Sequence, residues 1–223
     1  MPIRPLPDRP VSRAYAKLAG ALDHFGVCPA GKTCVDFGCN VGGFTHCLLH
    51  RGAAVVAAVD TSRHLLDYSL RGHPAVLVLE GRNALHSPPP PDFRAQLAVV
   101  DVGWTPQSRI LPAVLGWLTG GAEARIITLV KPHYEAAAKA GRLDGRAEPD
   151  GHRGRAGRRG GGTARTLSLE EAGRVAEGVR VEIGQLLAGW DVSELFASPV
   201  RGSGGNAEFL LLLGRARGGN GAA

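Results

Sequence analysis

The feature that most restricts the fold of this chain is the alternation of short apolar segments with segments of helical spacing. Candidate strands lie at 33–37, 54–59, 75–79, 96–100 and 125–130, and candidate helices at 42–51, 62–70 and 107–118 separate several of them. The run Arg125–Val130 has apolar residues at both odd and even positions, which indicates burial on both faces of a sheet. This order predicts a parallel sheet with helices on both faces.

Both ends of the chain extend this pattern. Ser12 as an N-cap and Gly26 as a stop predict a helix over 12–25, and Ser168 with Glu171 forms a capping box that predicts a helix over 168–187. Strands at 192–197 and 208–213 complete the sheet. We therefore predict an α/β, Rossmann-like domain over 12–214. Its sheet has seven strands, mostly parallel with one antiparallel strand, and residues 1–11 and 215–223 form an N-terminal extension and a disordered tail.

Residues 141–165 interrupt the pattern with seven arginines, many glycines and no apolar periodicity. We predict a flexible insert there. An Arg/Gly-rich segment of this kind can follow a nucleic-acid backbone, and a plain solvated linker explains the composition equally well. The arginines proposed to contact nucleic acid are Arg153, Arg155, Arg158 and Arg159.

Composition narrows the class of protein without naming it. The net charge of +6 suits a polyanionic partner. No apolar run has the length of a membrane span, and residues 1–10 lack the apolar stretch of a secretory signal, so a cytoplasmic location is expected. The four cysteines show no C-x-x-C spacing, so we expect no metal site.

Charged residues follow the predicted strands at the point where each strand ends. They are Asp36, Asp60, Glu80, Asp101 and Lys131. Ligands of open parallel sheets bind outside the carboxyl ends of the strands, so these residues predict a polar binding edge. An antiparallel last strand would bring Glu208 to that edge, and the helix over 12–25 would bring Lys17. A snorkelling lysine and an exposed strand start remain alternatives for these two residues.

The turn after the first strand carries the most specific local signal. Its spacing is G-x-x-x-G-G, unlike the G-x-G-x-x-G turn that holds a pyrophosphate. Together with a carboxylate at the end of the second strand, it favours an adenosyl cofactor. Asp60 would accept hydrogen bonds from the ribose hydroxyls, and Asp36 would face a positively charged methionine portion. The turn residues assigned to the cofactor are Asp36, Gly38, Asn40, Gly42, Gly43 and Phe44.

Several segments in order resemble a known family, the FtsJ-like RNA 2′-O-methyltransferases, and within it the TlyA (hemolysin A-like) ribosomal RNA methyltransferase branch. The matching segments are residues 12–18, 35–45, 82–84, 100–102, 129–132 and 205–210. Two features depart from that branch. Only a short stretch precedes Ser12, where the branch carries an N-terminal RNA-binding domain, and Gly103-Trp104 stands where the branch has Ser-Phe.

The resemblance implies a class I methyltransferase fold, S-adenosyl-L-methionine as cofactor and RNA, of the ribosomal kind, as substrate. It places the family's catalytic tetrad on Lys17, Asp101, Lys131 and Glu208, with Lys131 as the general base. It also places Asn83 near the adenine and Asp101 beside the cofactor.

RNA contacts are expected from the basic surface and from aromatic side chains near the cleft. The candidates outside the insert are Arg13 and Tyr15, with Trp104 and His133 as further stacking residues. Three other functions stay open: a methyltransferase for a small molecule or protein, a catalytically silent RNA-binding or assembly protein, and a membrane-active protein. The oligomeric state is not specified by the sequence.

Overall fold

A computed structural model describes residues 5–141 and 166–216 and contains a single eight-stranded sheet within them. The strands are β1 (Thr33–Phe37), β2 (Val55–Asp60), β3 (Val76–Glu80), β4 (Leu97–Val100), β5 (Arg125–Val130), β6 (Trp190–Val192), β7 (Phe196–Ala197) and β8 (Phe209–Arg215). Their order is β3-β2-β1-β4-β5-β8-β6, and β7 pairs with β8 off this path. β1 to β5 are parallel, whereas β8 is antiparallel to each strand that it pairs with. The predicted α/β fold with one reversed strand is confirmed.

Helices cover both faces of this sheet. They are α1 (Ala14–Phe25), α2 (Gly43–His50), α3 (Tyr68–Arg71), α4 (Gln107–Leu115), α5 (Pro132–Lys139) and α6 (Leu169–Leu186), with a short 3₁₀ turn at Ser203–Gly205. Leu18 and Leu22 of α1 pack with Leu48 of α2 in one core cluster, and Ile110 of α4 packs with Ile183 of α6 in the other. The sheet is therefore buried on both sides, as its apolar strands require.

The predicted helix over 62–70 is wrong except for its last residues. In its place, the Glu80 carboxylate accepts hydrogen bonds from the backbone N–H groups of His64, Leu65 and Leu66. His64 also has a φ of 64°, in the left-handed region. Those N–H groups thus bind a side chain at the end of β3, and only the four residues of α3 are helical.

Other differences concern where elements begin and end. Pro132 follows β5 as predicted, yet it is also the first residue of α5, a helix that the sequence analysis missed. The predicted strand over 192–197 is two short strands, β6 and β7, which raises the strand number from seven to eight. Ser12 does not cap α1, whose N-cap is Arg13 without a side-chain hydrogen bond. Gly26 ends α1 at a φ of 64°, and the capping box of Ser168 and Glu171 is present.

Residues 1–4, 142–165 and 217–223 lie outside the described part of the chain. The expectations for Arg153, Arg155, Arg158, Arg159 and most of the insert fall there. Within residues 5–141 and 166–216, no helix is long and apolar enough to cross a bilayer. The same residues contain no group of His, Cys, Asp and Glu side chains arranged to hold a metal ion.

Candidate active site

A cavity of about 500 Å³ lies at the carboxyl edge of the sheet, where the chain turns away from β1, β2, β4 and β5. β1 has β2 on one side and β4 on the other, so this is the switch point at which open α/β sheets bind ligands. The volume is within the range of roughly 300–1,000 Å³ that is usual for small-molecule sites. Charged and polar residues on its wall include Arg13, Lys17, Asn40, Asp60, Arg82, Asn83, Asp101, Lys131 and Glu208.

Two ion pairs lie on the wall of this cavity. Lys17 Nζ lies 2.5 Å from Glu208 Oε2, and Lys131 Nζ lies 2.6 Å from Asp101 Oδ1. All four side chains are largely buried, with exposed fractions of 4–16%. Glu208 reaches this edge because β8 is antiparallel, so its first residues lie beside the last residues of β5. The structure thus brings together the four residues that the sequence analysis assigned to a tetrad.

The protonation of Lys131 depends on opposing effects. Burial lowers the pKa of Lys131, but the charge and hydrogen bond of Asp101, with smaller contributions from Glu208 and Tyr134, outweigh it and raise the pKa above its usual value. The sequence alone could not show whether burial or the neighbouring acids have the larger effect on the pKa of Lys131. In the ion-paired arrangement, Lys131 is an ammonium group.

The glycine-rich turn contributes Gly38, Asn40 and Gly43 to the cavity wall. Gly38 has a φ of 83°, and a Cβ on it would collide with the backbone of Asp101. Asp60 Oδ2 accepts a hydrogen bond from Asn40 N, and Asp60 Oδ1 accepts one from Ser62 N, each at 2.8 Å. Each carboxylate oxygen keeps a second lone pair for a hydroxyl group. The turn and Asp60 therefore form a cradle that fits a ribose.

Two residues of the turn do not line the cavity. Asp36 is fully buried and accepts a hydrogen bond from Thr45 Oγ1, while its Oδ1 has no hydrogen-bond partner in the described part of the chain. Burial raises the pKa of Asp36 to about 7. Gly42 instead allows Leu66 and Leu70 to pack against the backbone. Asp36 therefore lies beneath the turn, without direct access to the cavity.

The remaining cofactor candidates lie on the cavity wall. Gly43 and Phe44 line it at the start of α2, and Asn83 lines it after β3, where its Oδ1 accepts a hydrogen bond from Leu85 N. Sequence reasoning missed Gly202, whose Cα lies so close to Glu208 that a Cβ would overlap the carboxylate. The glycines around Gly202 were the only available signal for it.

The candidates for RNA contact are separated by the structure. Arg13 is exposed at the cavity rim, and Trp104 lines the cavity with half of its surface exposed. Tyr15 does not line the cavity, and its hydroxyl lies 2.6 Å from His50 Nδ1. His133 is buried against Tyr134, so its ring is not free to stack on a base. Arg13 and Trp104 are the two candidates that the described structure places at the cavity.

Comparison with known proteins gives the family. The model of the FtsJ-like methyltransferases matches residues 10–215. The chain belongs to the FtsJ-like methyltransferase family. It is 35% identical over 204 residues to the 16S/23S rRNA (cytidine-2′-O)-methyltransferase TlyA of Mycobacterium tuberculosis, covering 91% of this chain and 68% of that protein.

Two solved structures resemble this FtsJ-like methyltransferase. A Streptococcus thermophilus protein named as a hemolysin is 30% identical, with a TM-score of 0.74 over 93% of this chain and 68% of that one. An S-adenosylmethionine dependent methyltransferase from Mesorhizobium loti is 16% identical, with a TM-score of 0.53 over 90% of this chain and 98% of that one, and shares the fold.

The FtsJ-like methyltransferase is an S-adenosylmethionine-dependent enzyme, and the cavity described above fits that cofactor. Gly38 lines the cavity without a side chain, Asp60 presents two acceptor oxygens, and Asn83 lies on the same cavity wall. The two ion pairs lie on the wall of the same cavity.

Proposed function

We propose that this protein transfers a methyl group from S-adenosylmethionine to a ribose 2′-hydroxyl of ribosomal RNA. The observation that carries the proposal is the convergence of Lys17, Asp101, Lys131 and Glu208 in one buried cluster beside the glycine-rich turn. A methyltransferase for small molecules would not require that pattern of two lysines and two acids. The similarity to TlyA supports ribosomal RNA as the substrate class.

The proposed cofactor site uses Gly38, Asn40, Gly43, Asp60 and Asn83 around the cavity. When bound, the sulfonium supplies an electrophilic methyl group. Asp36 is assigned an indirect role. Its carboxylate accepts a hydrogen bond from Thr45 and does not line the cavity, so it supports the turn without contacting the cofactor.

The proposed role of Lys131 is to accept the proton of the ribose hydroxyl. A ribose hydroxyl between Lys131 and Asp101 would separate the ion pair and remove the main contribution that raises the pKa of Lys131. Burial then remains as the leading effect, and burial favours the neutral amine that can accept a proton. Asp101 orients the amine and the hydroxyl, and Lys17, held by Glu208, stabilises negative charge on the oxygen.

RNA recognition is proposed to begin at the cavity rim. In the proposal, Arg13, which is exposed on the cavity wall, contacts a phosphate, and an unpaired base stacks on the exposed ring of Trp104. The proposal also assigns RNA contacts to Arg153, Arg155, Arg158 and Arg159, which lie outside the described residues.

The decisive experiment compares the wild-type protein with Lys131→Ala and with Lys139→Ala. Lys139 is an exposed lysine at the end of α5, the helix whose N-cap is Lys131. Tritiated-methyl transfer to ribosomal RNA is measured, and the labelled nucleotide is mapped after nuclease digestion. We expect Lys131→Ala to abolish transfer, a loss of at least about 10²-fold, while calorimetry shows unchanged cofactor affinity and Lys139→Ala remains active.

Two results would contradict the proposal. Normal transfer by Lys131→Ala would remove this residue from its role as base. RNA binding without any methyl transfer by the wild-type protein would instead support a silent RNA-binding or assembly protein.

A further inference from the structure

A buried hydrogen-bond network lies behind the proposed active site, outside the cavity. At its centre is Gln107, the first residue of α4, which is 2% exposed. The Gln107 side chain donates from Nε2 to the Leu129 carbonyl at 3.1 Å and accepts at Oε1 from Thr128 Oγ1. Its two side-chain polar atoms are therefore both bound to β5.

The backbone N–H of Gln107 is bound by a different element. It donates to Glu135 Oε1 of α5 at 3.0 Å, and Glu135 is 5% exposed. The N-cap of α4 is Pro106, which has no side-chain acceptor. The Glu135 carboxylate of α5 therefore accepts the hydrogen bond that an N-cap side chain would otherwise accept. Without Glu135, this buried N–H would have no acceptor and would be left unsatisfied.

The position of this network in the chain relates it to the proposed catalytic residues. Asp101 begins the loop that ends at Gln107, and that loop carries Trp104. Lys131 follows Leu129 by two residues and is the N-cap of α5. The ion pair of Asp101 and Lys131 and the contacts of Gln107 thus close a ring through the loop, β5 and α5.

We propose that Glu135 and Gln107 are positioning residues, which fix the loop carrying Asp101 and Trp104 relative to Lys131. The inference rests on the proposed RNA methyltransferase function and adds two residues to it, neither of which lines the cavity. A displacement of about 1 Å at a reacting group can lower the rate on the order of 10²-fold. Hydrogen bonds that fix the loop from outside the cavity therefore affect turnover.

The experiment uses Glu135→Ala, Glu135→Gln and a matched control, Lys139→Ala. The control breaks the exposed Lys139–Glu182 pair between α5 and α6 and leaves the Gln107 contact untouched. We expect Glu135→Ala to lower kcat about 10-fold or more, with KM for the cofactor within about twofold. Glu135→Gln keeps an amide oxygen that can accept the same hydrogen bond, and we expect it to restore kcat.

Amide hydrogen exchange gives a second measurement that does not depend on RNA. The Gln107 amide and the loop before it should exchange faster in Glu135→Ala than in Glu135→Gln or in the control. If Glu135→Ala does not fold, Gln107→Ala is used, and the same loss of kcat and faster loop exchange are expected.

Several outcomes would overturn the inference or separate it from the proposed function. Wild-type kcat and exchange in Glu135→Ala, or an equal loss in the Lys139→Ala control, would overturn the positioning role while RNA methylation stands. A wild-type protein that leaves RNA unlabelled would overturn the proposed function, and exchange at Gln107 would still decide whether Glu135 holds the loop.

Discussion

At the scale of single residues, the site contains buried charges whose protonation is set by their neighbours. Lys131 has a raised pKa because Asp101 stands 2.6 Å away, and Asp36 has a pKa of about 7 because it is buried. A base with a raised pKa must lose a proton before it can act, and a buried acid with a raised pKa resists ionisation. Each of these effects can be measured through its pH dependence.

The first prediction concerns the pH dependence of methyl transfer. Because the neutral amine of Lys131 is the reactive form and its pKa is raised in the free enzyme, kcat/KM for RNA should rise with pH by up to about tenfold per unit over pH 6.5–9. Asp101→Asn removes the charge that raises the pKa of Lys131, so the rising limb should move to lower pH even though the maximal rate falls. A profile that is flat in both proteins would contradict the role of Lys131.

The second prediction concerns the stability of the fold. The pKa of Asp36 is raised on folding from 3.8 to about 7, so its stabilising contribution is complete below pH 3.8 and is lost as the pH rises through 7. A shift of this size corresponds to at most about 4 kcal/mol. Chemical unfolding of wild type and Asp36→Asn at pH 5 and pH 8 should show a smaller fall in the variant. Equal falls would place the titrating group elsewhere.

At the scale of elements, Glu80 determines the conformation of the segment between β2 and α3. It binds three consecutive N–H groups and lies 2.7 Å from Arg71, and although burial opposes this, these contacts lower the pKa of Glu80 to about 2. The segment it holds follows Asp60 and Thr61, both of which line the cavity. Glu80 thus supports the proposed ribose cradle from behind.

The third prediction follows from that support. Glu80→Ala leaves the N–H groups of His64, Leu65 and Leu66 without their acceptor, so we expect a loss of about 1–3 kcal/mol in the free energy of unfolding. Cofactor affinity should fall by up to about tenfold, the equivalent of about 1.4 kcal/mol, although Glu80 does not line the cavity. Glu123→Ala, at an exposed carboxylate far from β3 in sequence, serves as the control for calorimetry and thermal melts.

The accuracy of sequence reasoning differed between these elements for physical reasons. The ends of β1 to β5 were predicted to within about one residue, because strands buried on both faces are continuous apolar runs. The prediction of a helix over 62–70 was wrong because the carboxylate of Glu80, distant in sequence, accepts hydrogen bonds from backbone N–H groups of this segment. α5 was missed because Pro132 was interpreted as a stop, although proline also suits the first position of a helix.

The same contrast applies to the site. Residues at strand ends, such as Asp101 and Lys131, could be placed at one edge because parallel strands end together. Their pairing, the burial of Asp36 beneath the turn and the contact of Gln107 with Glu135 depend on side-chain packing between elements far apart in sequence. No local pattern in the chain specifies them.

At the scale of the whole molecule, the excess of 26 basic over 20 acidic residues gives the proposed RNA partner a favourable field. RNA affinity should therefore fall steeply with salt, by about one unit of log–log slope for each phosphate contact. Arg13→Ala should lower both the affinity and the slope by about one contact. Arg94→Ala, exposed before β4 and hence at the opposite edge of the sheet, should leave both unchanged.

The reversed direction of β8 has a consequence for biosynthesis. Glu208 directly precedes β8, the strand that lies between β5 and β6. Glu208 pairs with Lys17, so this partner is synthesised together with the strand that connects β5 to β6. While the ribosome is still translating this region, a nascent chain holds Lys17, Asp101 and Lys131 but lacks their fourth member. Emergence of residues 208–215 from the exit tunnel therefore marks the moment at which the sheet and its cluster of charges become complete together.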